Sequence, residues 1–350
     1  YAGAKYGVAC MNGTVGLHIA QVLLGITKDD HVIAPNITFI ATLNAIKYTG
    51  AQPILIDVDI NNWQMDLGLL EQYLEQNTEF KTTKSGTYCF DTTTNKRVRA
   101  IMPVHVLGNI GDMDRLLSIS KKYHLDIIED STEALGATFK NKHAGTFGKI
   151  GVFSFNGNKI ISTGGGGVMV TDDQAIAKKA RHLTTQAKIS AMDYIHDEIG
   201  YNYRLVNVLA AIGVAQMETF NATLQSKASM DRFYRKHLNN VGDIKFYVDH
   251  YIKDETFAIY TGDNFEEFIY KYNGDIVREK GVDFYLGHLL KDVDEKYDEK
   301  VKNDELRKLE ERPKGNAENL LKNPGNVTYE DVKAYLELKQ KERYKNNNII

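Results

Sequence analysis

The sequence lacks the features that mark several large classes of protein. It has only two cysteines, Cys10 and Cys89, which lie far apart in the chain. This spacing predicts no cysteine-based metal cluster and fits a reduced, cytoplasmic setting. No apolar run approaches the roughly 20 residues that span a bilayer, and no signal peptide is recognisable at the start. We therefore expect neither a metal site nor a membrane anchor.

An excess of charge of one sign is also missing. Lysine and arginine total 43 against 46 aspartates and glutamates, so the net charge of -3 does not predict nucleic acid or an anionic membrane as a partner. The 350 residues have an ordinary globular composition and suffice for one large domain and a smaller one. The chain begins at Tyr1 rather than methionine, so we expect an upstream segment to be missing.

Short apolar runs alternate with helical patterns over the first two thirds of the chain. The runs predict strands buried on both faces at His31–Ala34, Pro53–Asp57, Ala100–Val104, Leu125–Glu129, Gly151–Phe155 and Gly167–Val170. The helical patterns lie near Val15–Leu24, Asp66–Leu74, Met113–Tyr123, Gln174–His182 and Val206–Met217. This alternation predicts an α/β fold with a mostly parallel central sheet, in which ligands bind at the carboxyl ends of the strands.

Two segments depart from this alternation. Residues 79–97 are rich in threonine and aromatics and predict either an added hairpin or a plain surface loop. About half of the residues between Lys291 and Gln340 are charged. We divide the chain into a large α/β domain, residues 1–225, and a small atypical region, residues 226–350, expected to be α+β, helical or partly disordered.

Residues 153–171, FSFNGNKIISTGGGGVMVT, combine a lysine with four glycines. The pattern fits neither a P-loop, because Asn158 precedes Lys159, nor a dinucleotide fingerprint, because Met169 stands where a third glycine is needed. The glycines instead predict a turn or a close backbone approach. Lys159 is either a solvated surface charge or, among apolar and small neighbours, a partly buried amine. Burial favours the neutral amine, which can form a Schiff base with a carbonyl.

Other polar positions stand where the predicted elements end or begin. Asp130, with Glu129 and Glu133, follows a strand and is either a helix cap or a carboxylate facing a ligand cation such as a pyridinium. Asn12-Gly13-Thr14 precede a helix and form either a simple cap or a phosphate site. Phe39 belongs to the core or stacks on a planar ring. In this order, with Ser154 five residues before Lys159, these positions are what pyridoxal phosphate (PLP) requires.

Six motifs along residues 1 to about 225 resemble the DegT-type sugar-nucleotide aminotransferases. They read NGTVGLHIA, VIAPNITFIATLNAI, PVHVLGNIGDMD, IIEDSTEALGA, GTFGKIGVFSFNGNKIISTGGGG and GYNYRLVNVLAAIGVAQME. The resemblance implies a PLP-dependent transferase of the aspartate aminotransferase-like fold, fold type I. The insert before PVHVLGN, with SFNGNKI and HDEIGYNYR, is most similar to 4-aminotransferases of the legionaminic-acid and bacillosamine type. The last third of the chain does not match the family's usual small domain.

The resemblance implies a role for each matching residue near the cofactor ring. Lys159 would form the Schiff base with PLP and later move the proton. Asp130 would pair with the pyridine nitrogen, and Glu133 would contact the ring-oxygen side. Phe39 would stack on the ring.

The resemblance also implies a set of phosphate contacts. Gly13, Thr14 and Ser154 would bind the phosphate within one chain. Asn202 would reach a phosphate across a dimer interface. Two chains would therefore build each site, which implies a homodimer.

The implied reaction moves an amino group from glutamate to a nucleotide-linked keto-sugar, at C4 of a UDP-4-keto-6-deoxy-HexNAc. One alternative is a PLP-dependent sugar dehydratase, but the resemblance implies a histidine in such enzymes where this chain has Lys159. The other is a non-catalytic, PLP-binding relative with a regulatory or structural role, which the atypical last third of the chain keeps open.

Overall fold

The computed structural model describes residues 1–84, 86–190, 192 and 194–238 and the strand segments 244–247 and 258–261. The strands are β1 Tyr6–Cys10, β2 Asp30–Pro35, β3 Gln52–Ile56, β4 Thr78–Thr83, β5 Gly86–Asp91, β6 Arg97–Ile101, β7 Asp126–Asp130, β8 Thr138–Phe139, β9 Lys142–His143, β10 Ile150–Ser154, β11 Gly167–Thr171, β12 Ile244–Tyr247 and β13 Ala258–Thr261. The helices are α1 Gly13–Leu23, α2 Ile40–Tyr48, α3 Leu67–Asn77, α4 Met113–Tyr123, α5 Gln174–Thr184, α6 Asn207–Glu218 and α7 Phe220–Leu238, with a 3-10 turn at Val106–Gly108.

Nine of the described strands form one sheet. Its main order is β1-β11-β10-β7-β6-β2-β3, and β5 joins β6 while pairing with β4. The pairs from β10 through β7, β6 and β2 to β3 are parallel, whereas β11 and β1 run antiparallel at one side. The sequence prediction of an α/β fold with a mostly parallel sheet is confirmed. Because β7 and β10 are parallel neighbours, their carboxyl ends meet at the same edge.

The two faces of this sheet carry separate apolar cores. In β7, Ile127 packs into the cluster that includes α3 and α4, whereas Ile128 packs into the cluster that includes α1 and α5. Consecutive side chains of a strand point to opposite faces, so both faces are covered by helices. The same alternation sends Glu129 toward the α3/α4 face and Asp130 toward the α1/α2 face.

The predicted elements agree with the structure except at a few places. β4 and β5 pair antiparallel, so the predicted hairpin is confirmed. The strand predicted at Ala100–Val104 was misplaced, since β6 begins at Arg97 and ends before Pro103, which has no N–H for the ladder. The sequence did not predict α2, α7 or the strands β1, β8, β9, β12 and β13.

The domain division remains a prediction. α7 runs from Phe220 to Leu238 through the proposed boundary at residue 225, and most of residues 226–350 lie outside the described part of the chain. Cys10 and Cys89 are both buried and free. Among the described helices, none has the length and apolarity needed to cross a bilayer.

Candidate active site

The start of α1 lies against the ends of β7 and β10. A Cβ placed on Gly13 would stand 2.9 Å from Cγ2 of Thr132 and 3.1 Å from Cβ of Ser154. Any larger residue at position 13 would therefore push these elements apart. The absence of a side chain at Gly13 brings the helix start beside Ser154, as the sequence predicted for a phosphate site.

The first turn of α1 presents amides at this place. Asn12 is extended, with φ -170°, and its side chain accepts a hydrogen bond from Val15 N at 3.0 Å. This confirms that Asn12 caps the helix. The cap satisfies the third amide, whereas the amides of Gly13 and Thr14 point out of the helix start. Such amides, with the positive end of the helix dipole and a neighbouring serine hydroxyl, suit a phosphate.

Gly167, the last residue of the glycine run, also packs against the start of α1. A Cβ on Gly167 would lie 2.8 Å from the carbonyl carbon of Asn12 and 2.8 Å from the carbonyl oxygen of Phe153. The predicted close backbone approach is confirmed at this glycine. It allows β11 to lie against both the cap of α1 and the end of β10.

Asp130 is the last residue of β7 and is buried, with 3% of its surface exposed. Oδ2 accepts a hydrogen bond from Thr42 Oγ1 at 2.7 Å, and Oδ1 accepts one from Thr132 N at 3.2 Å. Burial raises the pKa of Asp130, the hydrogen bonds from the two threonines oppose this, and the charge of Glu133 adds to it. Residues 131–137 contain turns and no helix, so the alternative that Asp130 caps a helix is wrong.

Glu129 lies in different surroundings from Asp130, although the sequence analysis grouped the two residues. It is fully buried on the opposite face. Its carboxylate accepts hydrogen bonds from the backbone amides of Gly145, Phe147 and Gly148 and contacts Nε2 of His105. The predicted acidic cluster is therefore divided, and Glu129 organises the loop before β10.

Lys159 and Glu133 form an ion pair at the same edge. Nζ lies 3.0 Å from Oε1, and the side chains of Lys159 and Glu133 are 16% and 32% exposed. Oε2 of Glu133 accepts a hydrogen bond from Leu107 N at 2.8 Å. Lys159 is thus partly buried and paired with an acid, rather than a solvated surface residue. Its acidic partner comes from the loop after β7, which the local sequence around Lys159 does not reveal.

Phe39 and Asn202 lie on the surface of the protomer. Phe39, at the N-cap of α2, is 72% exposed, which excludes the alternative that it belongs to this chain's core. Asn202 is exposed and forms an isolated β-bridge with Thr185. Within the described chain, no hydrogen bond joins its side chain to the other predicted site residues. Its predicted role across a dimer interface remains a prediction.

Three threonines and one leucine of this site were not anticipated. Thr42 and Thr132 bond Asp130, Thr38 lies 2.7 Å from Thr42, and Leu107 bonds Glu133. A signal for two of them is present, because Thr38 and Thr42 are four residues apart in NITFIATLNAI, about one helical turn, although Thr38 itself precedes the N-cap of α2. Nothing local identifies Asp130 as their partner.

The residues present fit PLP on three counts. The start of α1 with Ser154 is a cradle that only a residue without Cβ at position 13 permits. The buried Asp130 would offer a carboxylate to a protonated ring nitrogen. Lys159 supplies the amine for the aldehyde.

Comparison with known proteins agrees with this chemistry. The model of the DegT/DnrJ/EryC1/StrS aminotransferase family matches residues 1–267, beyond the point where the sequence motifs end. GDP-perosamine synthase of Escherichia coli O157:H7 is 41% identical over 68% of this chain and 60% of its own length. A UDP-N-acetyl-3-dehydro-alpha-D-glucosamine 3-aminotransferase of Acidithiobacillus ferrooxidans is 34% identical over 68% of this chain and 58% of its own. The chain therefore spans about 60% of the length of these relatives.

A solved structure shows the same fold. DesV of S. venezuelae, determined in complex with a ketimine intermediate, has a TM-score of 0.64 and 27% identity, covering 75% of this chain and 66% of its own. The fold is that of PLP-dependent DegT-type aminotransferases, as the sequence motifs predicted. This chain belongs to the DegT/DnrJ/EryC1/StrS aminotransferase family.

Proposed function

We propose that this chain binds PLP and transfers an amino group from glutamate to a nucleotide-linked keto-sugar. The observation that carries the proposal is the placement of Lys159 and Glu133 beside Asp130 at the carboxyl edge of β7 and β10. These are an amine, a proton acceptor and a buried carboxylate. The setting we propose is the cytoplasm.

Each residue has a distinct task in this reaction. Bound PLP supplies an electron sink that stabilises the negative charge formed when a proton leaves the amino donor. Lys159 would hold the cofactor covalently until the amine of the donor displaces it, and its freed neutral amine would then move the proton at the reacting carbon. Glu133, 3.0 Å from Nζ, is placed to take the proton that the ammonium must lose. Asp130 keeps the ring nitrogen protonated.

The phosphate anchors the cofactor at the start of α1. We assign its contacts to the amides of Gly13 and Thr14, the hydroxyl of Thr14 and the hydroxyl of Ser154. Anchored in this way, the cofactor would bring its aldehyde to the amine of Lys159, and Phe39 would supply an aromatic face for its ring.

The proposed assembly is a homodimer with shared sites. α6 supports this, because none of its twelve residues is buried within the protomer while Val208 and Val214 are apolar and largely exposed. Exposed Phe39 and exposed Asn202 also fit coverage by a second copy. We expect a Val208→Asp, Val214→Asp double variant to sediment as a monomer and to lose turnover.

For the acceptor we propose C4 of a UDP-4-keto-6-deoxy-HexNAc. One relative named above carries GDP in its name and the other UDP, so GDP-linked 4-keto-sugars are the second candidate. A panel of UDP-, GDP- and dTDP-linked 3-keto- and 4-keto-sugars, assayed for glutamate-dependent amination, tests the choice. Amination of a 3-keto-sugar alone would reject the C4 assignment.

The decisive experiment on the activity uses glutamate without any sugar. The visible absorbance band of the PLP-loaded protein should shift toward the pyridoxamine phosphate form, and Lys159→Ala should lose both the band and turnover. Lys149→Ala is the matched control, because Lys149 also pairs with an acid, Asp126, but at the opposite edge of the sheet. An unchanged band in the loaded wild-type protein would favour a binding-only relative.

A further inference from the structure

The side chain of Thr42 is committed to Asp130. Thr42 lies in the first turn of α2 with 1% of its surface exposed, and Oγ1 stands 2.7 Å from Oδ2 of Asp130. An ionised carboxylate only accepts hydrogen bonds, and a threonine hydroxyl has a single hydrogen. That hydrogen therefore points at Asp130.

Thr38 completes a directed chain of hydroxyls. Its Oγ1 lies 2.7 Å from Oγ1 of Thr42. Because the hydrogen of Thr42 is used on Asp130, the 2.7 Å bond between the two hydroxyls takes the hydrogen of Thr38, whose other acceptor, the carbonyl oxygen of Phe39, is more distant at 3.3 Å. The order of donation is Thr38 to Thr42 to Asp130, and each bond polarises and strengthens the next.

The same turn of α2 carries Phe39. Phe39 follows Thr38 directly, and its carbonyl oxygen accepts a hydrogen bond from Thr42 N at 3.1 Å. Thr42 is thus bonded to Phe39 through its backbone and to Asp130 through its side chain. Phe39 is assigned to the face of the cofactor ring and Asp130 to its nitrogen, so one residue fixes both groups relative to each other.

We propose that Thr42 is a positioning residue for the cofactor. Its hydroxyl fixes the orientation of the Asp130 carboxylate and, together with Thr38, links that carboxylate to the turn that contains Phe39. This rests on the proposed function, because it assumes that PLP is the ligand of Asp130.

The groups around Asp130 explain why the bond from Thr42 matters for the charge of the carboxylate. Burial and the neighbouring charge of Glu133 raise the pKa of Asp130, and both favour its neutral acid. The donors from Thr42 in α2 and from Thr132 in the following loop favour the carboxylate. The bond from Thr42 is the shorter, at 2.7 Å against 3.2 Å.

The test compares Thr42→Val with Thr42→Ser, since valine keeps the shape and serine keeps the hydroxyl. PLP is titrated into the cofactor-free protein, and the dissociation constant and the pH dependence of the visible band are recorded. We expect Thr42→Val to weaken PLP binding about tenfold, as for loss of one bond to a charged group, and Thr42→Ser to stay within about twofold of wild type.

A matched control removes a different buried hydroxyl. Thr171 is buried at the opposite edge of the sheet and donates to Lys149 O at 2.7 Å. Thr171→Val should leave PLP affinity unchanged. If Thr42→Val does not fold, Thr38→Val carries the test with an expected loss of about threefold in affinity, because it removes the more distant donor.

The outcomes separate the two proposals. If wild-type protein shows no PLP band, the proposed function fails. If wild type binds PLP but Thr42→Val binds it equally well with the same pH profile, Thr42 is not a positioning residue. If Thr42→Ser is as impaired as Thr42→Val, the hydroxyl is irrelevant and the proposal is also overturned.

Discussion

Glu129 and Asp130 are consecutive carboxylates at the end of one strand, and they have opposite fates. Both are buried, with 0% and 3% exposure, but they face opposite sides of the sheet. Glu129 has four hydrogen-bond partners, whereas Asp130 accepts one bond at each oxygen, from Thr42 and Thr132, and has a raised pKa. A buried carboxylate that the protein satisfies fully builds the fold. Asp130, which has two donors and a raised pKa, is the carboxylate to which we assign the cofactor.

The difference can be counted in lone pairs. An ionised carboxylate has about four acceptor positions. At Glu129 these meet four partners, the amides of Gly145, Phe147 and Gly148 and the ring nitrogen of His105. No position is left for a ligand. At Asp130 each oxygen retains capacity for a further donor, such as the protonated ring nitrogen of PLP.

The largest expected effect concerns Glu129, the carboxylate whose acceptor positions are all occupied. Glu129→Gln places an NH2 group against backbone donors and should reduce the free energy of unfolding by about 3–5 kcal/mol, as breaking a buried charged network does. Urea unfolding measures this. Exposed Glu75, paired with Lys122, is the control, and Glu75→Gln should cost less than about 1 kcal/mol. A loss below about 1 kcal/mol for Glu129→Gln would erase the distinction between the two carboxylates.

The next largest effect concerns Asp130, the carboxylate that we assign to the cofactor. Asp130→Asn should reduce the rate of the glutamate half-reaction by about 100-fold or more, or roughly 2.7 kcal/mol, because the ring nitrogen loses its counter-charge. In the cofactor-free protein the same change removes a buried charge and should raise the free energy of unfolding by about 1 kcal/mol at neutral pH. Stopped-flow absorbance and urea unfolding measure the two. If Asp130→Asn keeps the wild-type rate of the half-reaction and lowers the free energy of unfolding, Asp130 has a structural role rather than a role in binding the cofactor.

The two faces should respond to pH in opposite directions. The pKa of Asp130 is raised from 3.8, so the folded state binds more protons and stability falls as pH rises from 3.8 through the folded value. On the Glu129 face, burial lowers the pKa of His143 from 6.5, although its bond to Ala144 and the charge of Glu129 oppose this. Stability is then lost as pH falls from 6.5 through the folded value.

The free energy of unfolding of the cofactor-free protein, measured between about pH 4 and pH 8, tests these two opposite pH dependences. Asp130→Asn should remove the loss toward high pH and keep the loss toward low pH. His143→Gln should do the reverse. If neither variant changes the profile, the buried groups do not govern it.

The smallest effect concerns the turn at Val106–Gly108, whose Leu107 amide donates to Glu133. Leu107 has φ 57°, a left-handed conformation that costs a residue with a Cβ roughly 1–2 kcal/mol. Leu107→Gly relieves this but adds unfolded-state entropy, so the net gain in unfolding free energy should be about 0.5 kcal/mol. The bond from its amide to Glu133 should persist. A loss of more than about 1 kcal/mol would show that the leucine side chain stabilises the turn.

The sequence predicted much of this molecule, and the failures have physical reasons. The parallel sheet, the cap of α1 by Asn12 and the close backbone approach at Gly167 follow from local patterns. α2 was missed because its first turns contain β-branched threonine and isoleucine, which are also typical of strands. The bond from Thr42 to Asp130 joins residues 88 apart, and only the fold brings them together. The division of Glu129 from Asp130 was hidden because β7 is buried on both faces, which removes the usual alternation.

The turn at Val106–Gly108 gives this protein a built-in spectroscopic reporter. Its neighbour His105 contacts Glu129, and its Leu107 amide donates to the Glu133 carboxylate that pairs with Lys159. The chemical shift of an amide proton depends on the charge of its acceptor. In a 15N-labelled sample, the Leu107 resonance should therefore move when Lys159 leaves Glu133 or when Glu133 takes up a proton. A single backbone signal would follow the lysine, with no probe attached to the cofactor or the substrate.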